Sequence, residues 1–376
     1  MAGAGAFGRN HLRVYHELEA AGSGVALVAA VDPDSTRAAE AAAQYSIPVF
    51  ASVDELLSAD LKLDAATVAV PTVHHHAVAS ALLEAGLDVL VEKPLAATLA
   101  EADDLIRIAE SGRGTNGPRI LQPGHLERFN PAVLAIEPKL RRPMFFEAHR
   151  LSVFTPRSLD VDVVLDLMIH DLDIVLTFAH SQVREVRAVG LPILSPKVDI
   201  ANVRVEFESG CVANFTASRV STERVRKLRF FEPRQYVSID YARQDLLVIR
   251  LDTKAATHAS TALVDALASG AAANLPPEIA SAIAAGKLDP SALAQLVAAS
   301  GATPNPGLSF VKLPVTPGEP LRFEIESFLD SVRTRREPHV TALQGRDALA
   351  LALEIQATMA AHASRAGLED FFAAGA

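Results

Sequence analysis

The chain opens with Met1-Ala2-Gly3-Ala4-Gly5-Ala6-Phe7-Gly8-Arg9-Asn10-His11, a stretch whose glycines have the spacing G-x-G-x-x-G. Glycines at this spacing permit a tight turn, a close approach of the backbone to a pyrophosphate, and close packing of a helix on a strand. A helical stretch follows over residues 9–21, and a strand over 25–31 ends in Asp32. An acidic residue about 20 residues past the glycines is placed to bind the ribose hydroxyls of NAD. Since a carboxylate would repel a 2′-phosphate, we predict NAD rather than NADP, bound by Gly3, Gly5, Gly8 and Asp32.

The fingerprint ordinarily follows a strand, but only Met1 and Ala2 precede the first glycine. In the usual strand order the first strand lies in the middle of the sheet, so its absence would leave backbone groups of two neighbours unpaired. We therefore expect the natural product to begin several residues upstream, with a Val- or Ile-rich strand.

Strand-like and helix-like segments alternate through residue 124, with capping boxes at 52–55 and 98–101. This alternation predicts a parallel, doubly wound sheet whose ligand lies at the carboxyl ends of the strands. His75, Lys93 and Gly124 fall at or just beyond such ends. The triple His74–His76 has no Cys or carboxylate at ligand spacing, so no metal site is predicted.

From residue 144 the pattern changes to successive strands, which predicts a largely antiparallel sheet. Residues 253–318 form an insertion rich in Ala, Ser and Pro, expected to be two or three short peripheral helices or a mobile lid. The fold class is thus α/β, with three predicted parts: an NAD-binding Rossmann domain over 1–124, an α+β domain over 125–320, and C-terminal helices over 321–376 that return to the first domain.

Residues 159–173, LDVDVVLDLMIHDLD, form the most informative stretch of the second part. At helical spacing Asp162, Asp166, His170 and Asp173 share one stripe, whereas most other positions are apolar. A helix that is apolar around most of its circumference is buried, and ionisable groups are rarely buried without a partner or a task. Asp166 and His170 could form a pair in which the carboxylate orients a general base. A structural contact in the core fits the spacing equally well.

Composition excludes several classes of partner. The 376 residues have 49% apolar and 21% charged residues and a net charge of −10, which argues against a nucleic-acid or anionic-membrane partner. Cys211 is the only cysteine, so an intrachain disulfide is impossible and a reducing, cytoplasmic setting is expected. No apolar stretch approaches the roughly 18 to 20 residues of a membrane span, and no signal peptide is visible.

Five segments, taken in order, resemble the Gfo/Idh/MocA oxidoreductases: residues 3–11, Pro71-Thr72-Val73-His74-His75, Glu92-Lys93-Pro94, GHLERFNP at 124–131, and Asp166-x-x-x-His170. The resemblance covers about residues 1–250 and the final helices, and it implies a Rossmann domain followed by an open, largely antiparallel sheet that covers the nicotinamide. It implies three catalytic residues, namely Lys93, Asp166 and His170. It adds Thr72, His75 and Glu92 to the cofactor contacts, and we expect Arg128, Asn130 and Asp162 to contact substrate.

Within the family, GHLERFNP, the stripe and residues 221–241 are most similar to bacterial enzymes that oxidise the 3-hydroxyl of UDP-N-acetylglucosamine, whose keto product is transaminated for lipid A. This substrate is implied by the similarity, not by spacing. One supporting feature is a basic cluster in an otherwise acidic chain: Arg219, Arg224, Arg226, Lys227 and Arg229. Basic groups suit a pyrophosphate. Alternating charges on the wet face of a strand explain the cluster equally well.

The predicted chemistry is hydride transfer from a secondary carbinol to NAD, with His170 as base, Asp166 as its orienter, and Lys93 on the reacting oxygen or as the base itself. A dehydrogenase for a free cyclitol or hexose would keep the same residues, as would an enzyme working in the reductive direction. A catalytically silent NAD-dependent sensor is a further alternative, against which the intact catalytic set argues. The family commonly pairs through the exposed face of the second sheet, which implies a homo-oligomer.

Overall fold

The computed structural model describes residues 1–59, 61–112, 117–155, 161–251 and 308–368. The N-terminal part alternates helices and strands as predicted. Its elements are α1 (Gly8–Ala20), β1 (Ala30–Val31), α2 (Ser35–Tyr45), β2 (Val49–Phe50), α3 (Val53–Ser58), β3 (Ala65–Val68), α4 (His75–Glu84), β4 (Asp88–Glu92), α5 (Leu99–Ser111) and β5 (Leu121–Gly124). The predicted capping box at Thr98 is complete, whereas at Ser52 the side chain accepts from the Glu55 amide but the Glu55 carboxylate accepts from Ala51 instead of Ser52.

The short N-terminus occupies the centre of the parallel sheet. Strand β1 pairs with β2, and β3 pairs with β4 and β4 with β5, all in parallel. Ala2 bridges the two groups through Val31 and Val68, which gives the order β2-β1-Ala2-β3-β4-β5 of a dinucleotide-binding fold. The amide of Ala2 donates to Thr67 at 2.7 Å and that of Gly3 donates to Val31 at 2.8 Å. The neighbours therefore have partners at this level; the strand expected upstream stays a prediction.

The rest of the chain builds a second, larger sheet. Its elements are α6 (Pro131–Ile136), β6 (Phe145–Leu151), a π-helical turn (Val164–Met168), α7 (Ile169–Ala179), β7 (Val183–Leu191), β8 (Ile200–Phe207), β9 (Val212–Ser218), β10 (Val225–Glu232), β11 (Gln235–Asp240), β12 (Asp245–Leu251), β13 (Leu308–Lys312), α8 (Pro320–Thr334) and α9 (Ala342–Arg365). The strand order is β13-β12-β11-β10-β6-β9-β8-β7. Every pair is antiparallel except β6 with β9. The predicted open, largely antiparallel sheet is confirmed.

One face of this sheet carries the core. Along β6, Phe146 and Ala148 are buried, whereas the alternate residues are half-buried, as strand geometry dictates. The buried face packs against the apolar helix α7, where Phe178 contacts Phe230 edge to ring. Helix α9 packs against both β7 and α7 and also reaches α5, while α8 packs against α1. The two closing helices thus contact elements of both sheets.

The structure differs from the sequence-based expectations in the insertion and in the helix of the polar stripe. The insertion predicted as peripheral helices or a lid over 253–318 includes strand β13, which adds an edge strand beside β12; residues 253–307 lie outside the described residues. The polar stripe was expected on a regular helix, but Val164–Met168 forms a π-helical turn. Within the described part of the chain, no helix is long and apolar enough to cross a membrane.

Candidate active site

The glycines at the N-terminus serve two purposes. Gly3 and Gly8 leave no room for a side chain, and Gly5 keeps open the space before α1, which we call the cradle. Gly3 has φ +91°, and a Cβ there would lie 2.5 Å from the carbonyl oxygen of Ala69. A Cβ at Gly8 would overlap the carbonyl oxygen of Gly3, because α1 begins directly against that turn. A Cβ at Gly5 would meet nothing within 4 Å, so the space in front of α1 is free. A helix N-terminus with open space beside its amides is the arrangement that binds a pyrophosphate.

Asp32 lies at the end of β1, beside the cradle. Its carboxylate is 4% exposed and accepts hydrogen bonds from the backbone amides of Ala4 (2.8 Å) and Asp34 (2.9 Å) and from the guanidinium of Arg37 (2.9–3.1 Å). Burial raises the pKa of Asp32, but Arg37 and the two amides together hold it below its usual value. The carboxylate is therefore ionised, as an acceptor for ribose hydroxyls must be. The cradle and Asp32 fit the adenosine diphosphate half of NAD.

Two substitutions separate packing from cofactor binding. We expect Gly8→Ala to destabilise the fold by about 1–3 kcal/mol, because its Cβ would overlap backbone. We expect Gly5→Ala to leave the melting temperature unchanged and to raise the Kd for NADH roughly tenfold or more, because its methyl would fill the cradle. Thermal unfolding and NADH fluorescence titration measure the two effects. Equal NADH affinity in Gly5→Ala and the wild type would remove the pyrophosphate from this turn.

The other predicted cofactor residues have different surroundings. Thr72 opens a single 3-10 turn after β3, next to the cradle side of the sheet. Glu92 ends β4 and is paired with His11 of α1 at 2.8 Å. The expectation for His75 is corrected, since its ring is 1% exposed and its two nitrogens face the carbonyl oxygens of Pro94 (2.8 Å) and Val70 (2.9 Å). His75 has no nitrogen left for a cofactor and instead joins the ends of two strands.

Lys93 follows β4 and reaches the second sheet's buried helix. Its Nζ donates to the backbone carbonyls of Asp166 (2.9 Å) and Leu165 (3.3 Å) and lies 3.9 Å from the Asp166 carboxylate. An ammonium has three donors, so one remains for a ligand. Burial lowers the pKa of Lys93, and the carboxylates of Asp166 and Glu92 oppose that effect. The side chain is 19% exposed, and it lies between the two sheets.

His170 begins the second turn of this buried segment, near Lys93. Burial holds the pKa of His170 well below its usual value, and the positive charges of Lys93 and Arg150 lower it further, followed by those of His125 and Arg226. The imidazole is therefore neutral at pH 7. Its Nδ1 is buried without a hydrogen-bond partner, which costs about 1–3 kcal/mol.

The predicted pairing of Asp166 with His170 is corrected. No hydrogen bond or ion pair joins these two described side chains, and the nearest cation to the Asp166 carboxylate is Lys93. The physical reason is the π-helical turn, whose i to i+5 hydrogen bonds add a residue to the turn, so a spacing of four no longer stacks two side chains. Asp166 thus faces the ammonium rather than the imidazole.

The three residues expected to contact substrate are held by other protein groups. Asp162 accepts from the amides of Val164 (2.8 Å) and Leu165 (3.1 Å), so it caps the helical segment. Arg128 is 2% exposed and donates to Thr177 at 2.6 Å. Asn130 is also 2% exposed, caps α6, and donates to the Tyr241 carbonyl at 3.0 Å. All three side chains thus have partners inside the protein, and their contact with substrate stays a prediction.

Asp173, the last member of the stripe, is likewise internal. Its carboxylate is 1% exposed and lies 3.7 Å from Arg128 and 3.9 Å from His125. The stripe therefore divides into two pairs. Asp166 and His170 are influenced by the charge of Lys93, whereas Asp162 and Asp173 interact with other groups of the protein. Among the described residues, no group of three or more His, Cys, Asp or Glu side chains is arranged to hold a metal ion.

Sequence reasoning missed Arg150, on the inner face of β6. It forms a bidentate pair with Asp171 (2.8 and 3.1 Å), donates to Glu127 at 2.9 Å, and lies over the ring of Tyr241 at 5.1 Å. Its charge lowers the pKa values of both Lys93 and His170. The sequence did contain a signal for Arg150: it alternates with Phe146 and Ala148 along the strand and so lies on the same inward face. Charges on the inward face of a strand are rare.

A Rossmann domain with a cofactor cradle, whose Lys93 reaches the helical segment of the second part that carries His170, is the arrangement of an NAD-dependent oxidoreductase. Comparisons with known proteins agree. The profile of an oxidoreductase family with an NAD-binding Rossmann fold matches residues 1–115, and the GFO/IDH/MocA C-terminal domain matches residues 134–234. The chain belongs to the Gfo/Idh/MocA family.

Named relatives include two kinds of sugar dehydrogenase. The UDP-N-acetylglucosamine 3-dehydrogenase of Acidithiobacillus ferrooxidans is 38% identical over 65% of this chain and 74% of its own length. The inositol 2-dehydrogenase of Acidothermus cellulolyticus is 32% identical over 50% of this chain and 55% of its own length. A solved structure of the Acidithiobacillus enzyme superposes with a TM-score of 0.75 at 30% identity, covering 96% of each chain.

Proposed function

We propose that this protein oxidises the 3-hydroxyl of UDP-N-acetylglucosamine to a ketone with NAD. The observation that carries the proposed chemistry is that Lys93, which follows β4 of the first sheet, donates to the carbonyls of Leu165 and Asp166 in the turn directly before His170. The choice of substrate is supported by the similarity to the Acidithiobacillus enzyme, which extends over more of the chain than the similarity to the inositol dehydrogenase. Further support comes from Arg226 near the start of β10, which has no carboxylate within 4 Å among the described residues.

The proposed roles follow from the state of each group. Bound NAD accepts the hydride that leaves the carbinol carbon. His170 is neutral and only half-buried, so it takes the proton of the hydroxyl as that hydride departs. Lys93 is anchored by two carbonyls and directs its third N–H at the same oxygen, where it stabilises alkoxide character. Asp166 sets the position of Lys93, and burial, with the charges of Lys93 and Arg150 added to it, lowers the pKa of His170 and keeps the imidazole neutral.

The function is tested by NADH formation at 340 nm with UDP-N-acetylglucosamine, in the presence of an aminotransferase that draws off the ketone. The proposal expects turnover with this substrate and none with inositol or free glucose. Turnover with inositol alone would select a cyclitol dehydrogenase. A flat absorbance across the whole panel would favour an NAD-binding sensor.

The pH profile follows from the lowered pKa of His170. Because the pKa of His170 is lowered in the folded protein, its imidazole stays neutral at lower pH than the imidazole of a free histidine does. It can therefore still accept a proton at those lower pH values. We expect kcat/KM to stay constant as the pH falls through 6.5 and to decline only well below it. A decline centred at 6.5 or above would mean that a different group is the base. Initial rates from pH 4.5 to 9 measure this.

We also propose a cytoplasmic homo-oligomer that pairs through the outer face of the second sheet. NAD and nucleotide sugars are cytoplasmic metabolites. The outer face carries a half-buried aromatic row, in which Phe145 and Phe231 lie 5.4 Å apart and Phe231 and Tyr236 lie 5.1 Å apart. Aromatic residues are enriched where protein surfaces pair. A monomer in light scattering at micromolar concentration would contradict this.

A further inference from the structure

The five basic residues between 219 and 229 have different partners in the structure. Three of them have a carboxylate within 4 Å: Arg219 with Asp199 (3.5 Å), Lys227 with Asp240 (3.9 Å) and Arg229 with Glu147 (3.7 Å). Arg224 and Arg226 have no such ion pair within the described residues. The basic cluster is therefore not one surface. Among its five residues, only Arg224 and Arg226 lack a carboxylate within 4 Å in the described part of the chain.

Arg226 lies on the inner face of β10, the face that carries the candidate active site. The residues two and four positions further along, Leu228 and Phe230, are fully buried on that face. Strand alternation puts Lys227 and Arg229 on the other face of the sheet. The register sets Arg226 directly opposite Arg150 of β6.

Two guanidinium groups opposite each other on one face repel, and such a pair destabilises a sheet. The charge of Arg150 is balanced by Asp171 and Glu127. Arg226 has no carboxylate within 4 Å in the described part of the chain, and it is exposed near the start of β10. The carboxylates that act on it, Glu127 and Asp171, are already paired with Arg150, so Arg226 has no counter-ion of its own.

Arg226 is connected to the reacting centre through Arg150. The register sets it opposite Arg150, whose guanidinium holds the carboxylate of Asp171, the residue directly after His170. In a nucleotide sugar the diphosphate is attached to C1, two ring carbons from the hydroxyl at C3. An anion site for such a substrate must therefore lie near the base without occupying the position of the reacting hydroxyl.

We propose that Arg226 binds the diphosphate of a nucleotide-sugar substrate and thereby selects it over uncharged sugars. The inference rests on the proposed function, because it assigns the part of the substrate that inositol and glucose lack. A guanidinium forms two parallel hydrogen bonds to phosphate oxygens, which suits it to this task. The cofactor's own pyrophosphate is a second possible source of the anion, but its cradle lies before α1 in the other sheet.

The test compares Arg226→Met with Arg229→Met. Both variants remove one positive charge from β10 and keep an aliphatic stem, but Arg229 lies on the opposite face in a half-exposed ion pair that contributes little. We expect Arg226→Met to raise the KM for UDP-N-acetylglucosamine and the Kd for UDP roughly 10- to 100-fold, with kcat within about twofold. Arg229→Met should match the wild type in all three. The Kd for NADH should be the same in all proteins, which also shows that the variants fold.

The possible outcomes separate the two proposals. Unchanged UDP affinity and KM in Arg226→Met would overturn the role of Arg226, even if the wild type oxidises UDP-N-acetylglucosamine. A weaker Kd for NADH alone would assign Arg226 to the cofactor and overturn the inference. If the wild type binds UDP but oxidises no UDP-sugar, the proposed function fails, and the UDP titration of Arg226→Met still decides the anion site. A wild type that does not bind UDP contradicts both.

Discussion

Replacing Lys93 by Met is expected to lower kcat by about 100-fold or more, with the Kd for NADH unchanged. Methionine keeps an unbranched side chain of similar length but has no donor. The hydrogen bonds to the carbonyls of Leu165 and Asp166 would be lost, and with them the third N–H that is proposed to hold the reacting oxygen. The alkoxide character that develops as the hydride leaves would then lack a cation beside it. Steady-state kinetics with saturating NAD measure the loss.

Lys227→Met is the matched control for this prediction. Lys227 lies on the outer face of β10, 3.9 Å from Asp240, so its replacement removes the same charge far from the imidazole. It should keep the wild-type kcat. A rate near that of the wild type in Lys93→Met would exclude this ammonium from the chemistry. A loss of NADH affinity in the same variant would instead place Lys93 in cofactor binding.

Replacing His170 by Asn is expected to lower kcat by roughly 10²- to 10⁴-fold, the range of a lost general base. Asparagine keeps a polar group near the position of Nδ1 but cannot accept a proton at neutral pH. The proton of the hydroxyl must then go to water or to Lys93. The rate of the variant should consequently rise with pH toward the alkaline range, and the acid limb that belongs to the imidazole should disappear.

His180→Asn provides the comparison within the same helix. His180 is an exposed residue at the C-terminal end of α7, with φ +46°, a left-handed conformation that asparagine tolerates. This variant should fold and turn over like the wild type. An acid limb that persists in His170→Asn would show that another group titrates, and would reassign the role of base to Lys93.

The first half of the molecule could be predicted in detail because local signals agree there. The glycine spacing, the capping boxes at Ser52 and Thr98, and the alternation of elements all indicate the same parallel sheet. The sequence also shows that only Met1 and Ala2 precede the first glycine. It does not show that Ala2 bridges β1 and β3, because bridge formation depends on the positions of both neighbouring strands.

The candidate site was predicted in its residue types but not in its contacts. Lys93 and His170 were expected together on the strength of their strand-end and stripe positions. The partner assigned to His170 was wrong because a regular helix was assumed, whereas the π-helical turn rotates Asp166 toward Lys93. Helical periodicity contains no signal for a π turn, since a single inserted residue leaves the apolar pattern intact.

The charges that surround the site are a property of tertiary pairing. Arg150 and Asp171 are 21 residues apart, and neither lies in a recognisable motif. The same holds for Arg226, because the sequence does not distinguish it from the four basic residues near it, whereas the sheet register does. Register fixes which face each side chain occupies, and a shift of one residue would exchange Arg226 with Lys227.

The central claim is that hydride leaves C3 of the sugar in a pocket formed by Lys93 and His170. The most direct test uses UDP-N-acetylglucosamine carrying deuterium at C3, with mass spectrometry of the reduced cofactor. We expect NADH that is one mass unit heavier than the NADH formed from unlabelled substrate. In Lys93→Met and His170→Asn, almost none of this heavier NADH should form over the same reaction time. Reduced cofactor of unlabelled mass from the deuterated sugar, or undiminished formation in both variants, would contradict it.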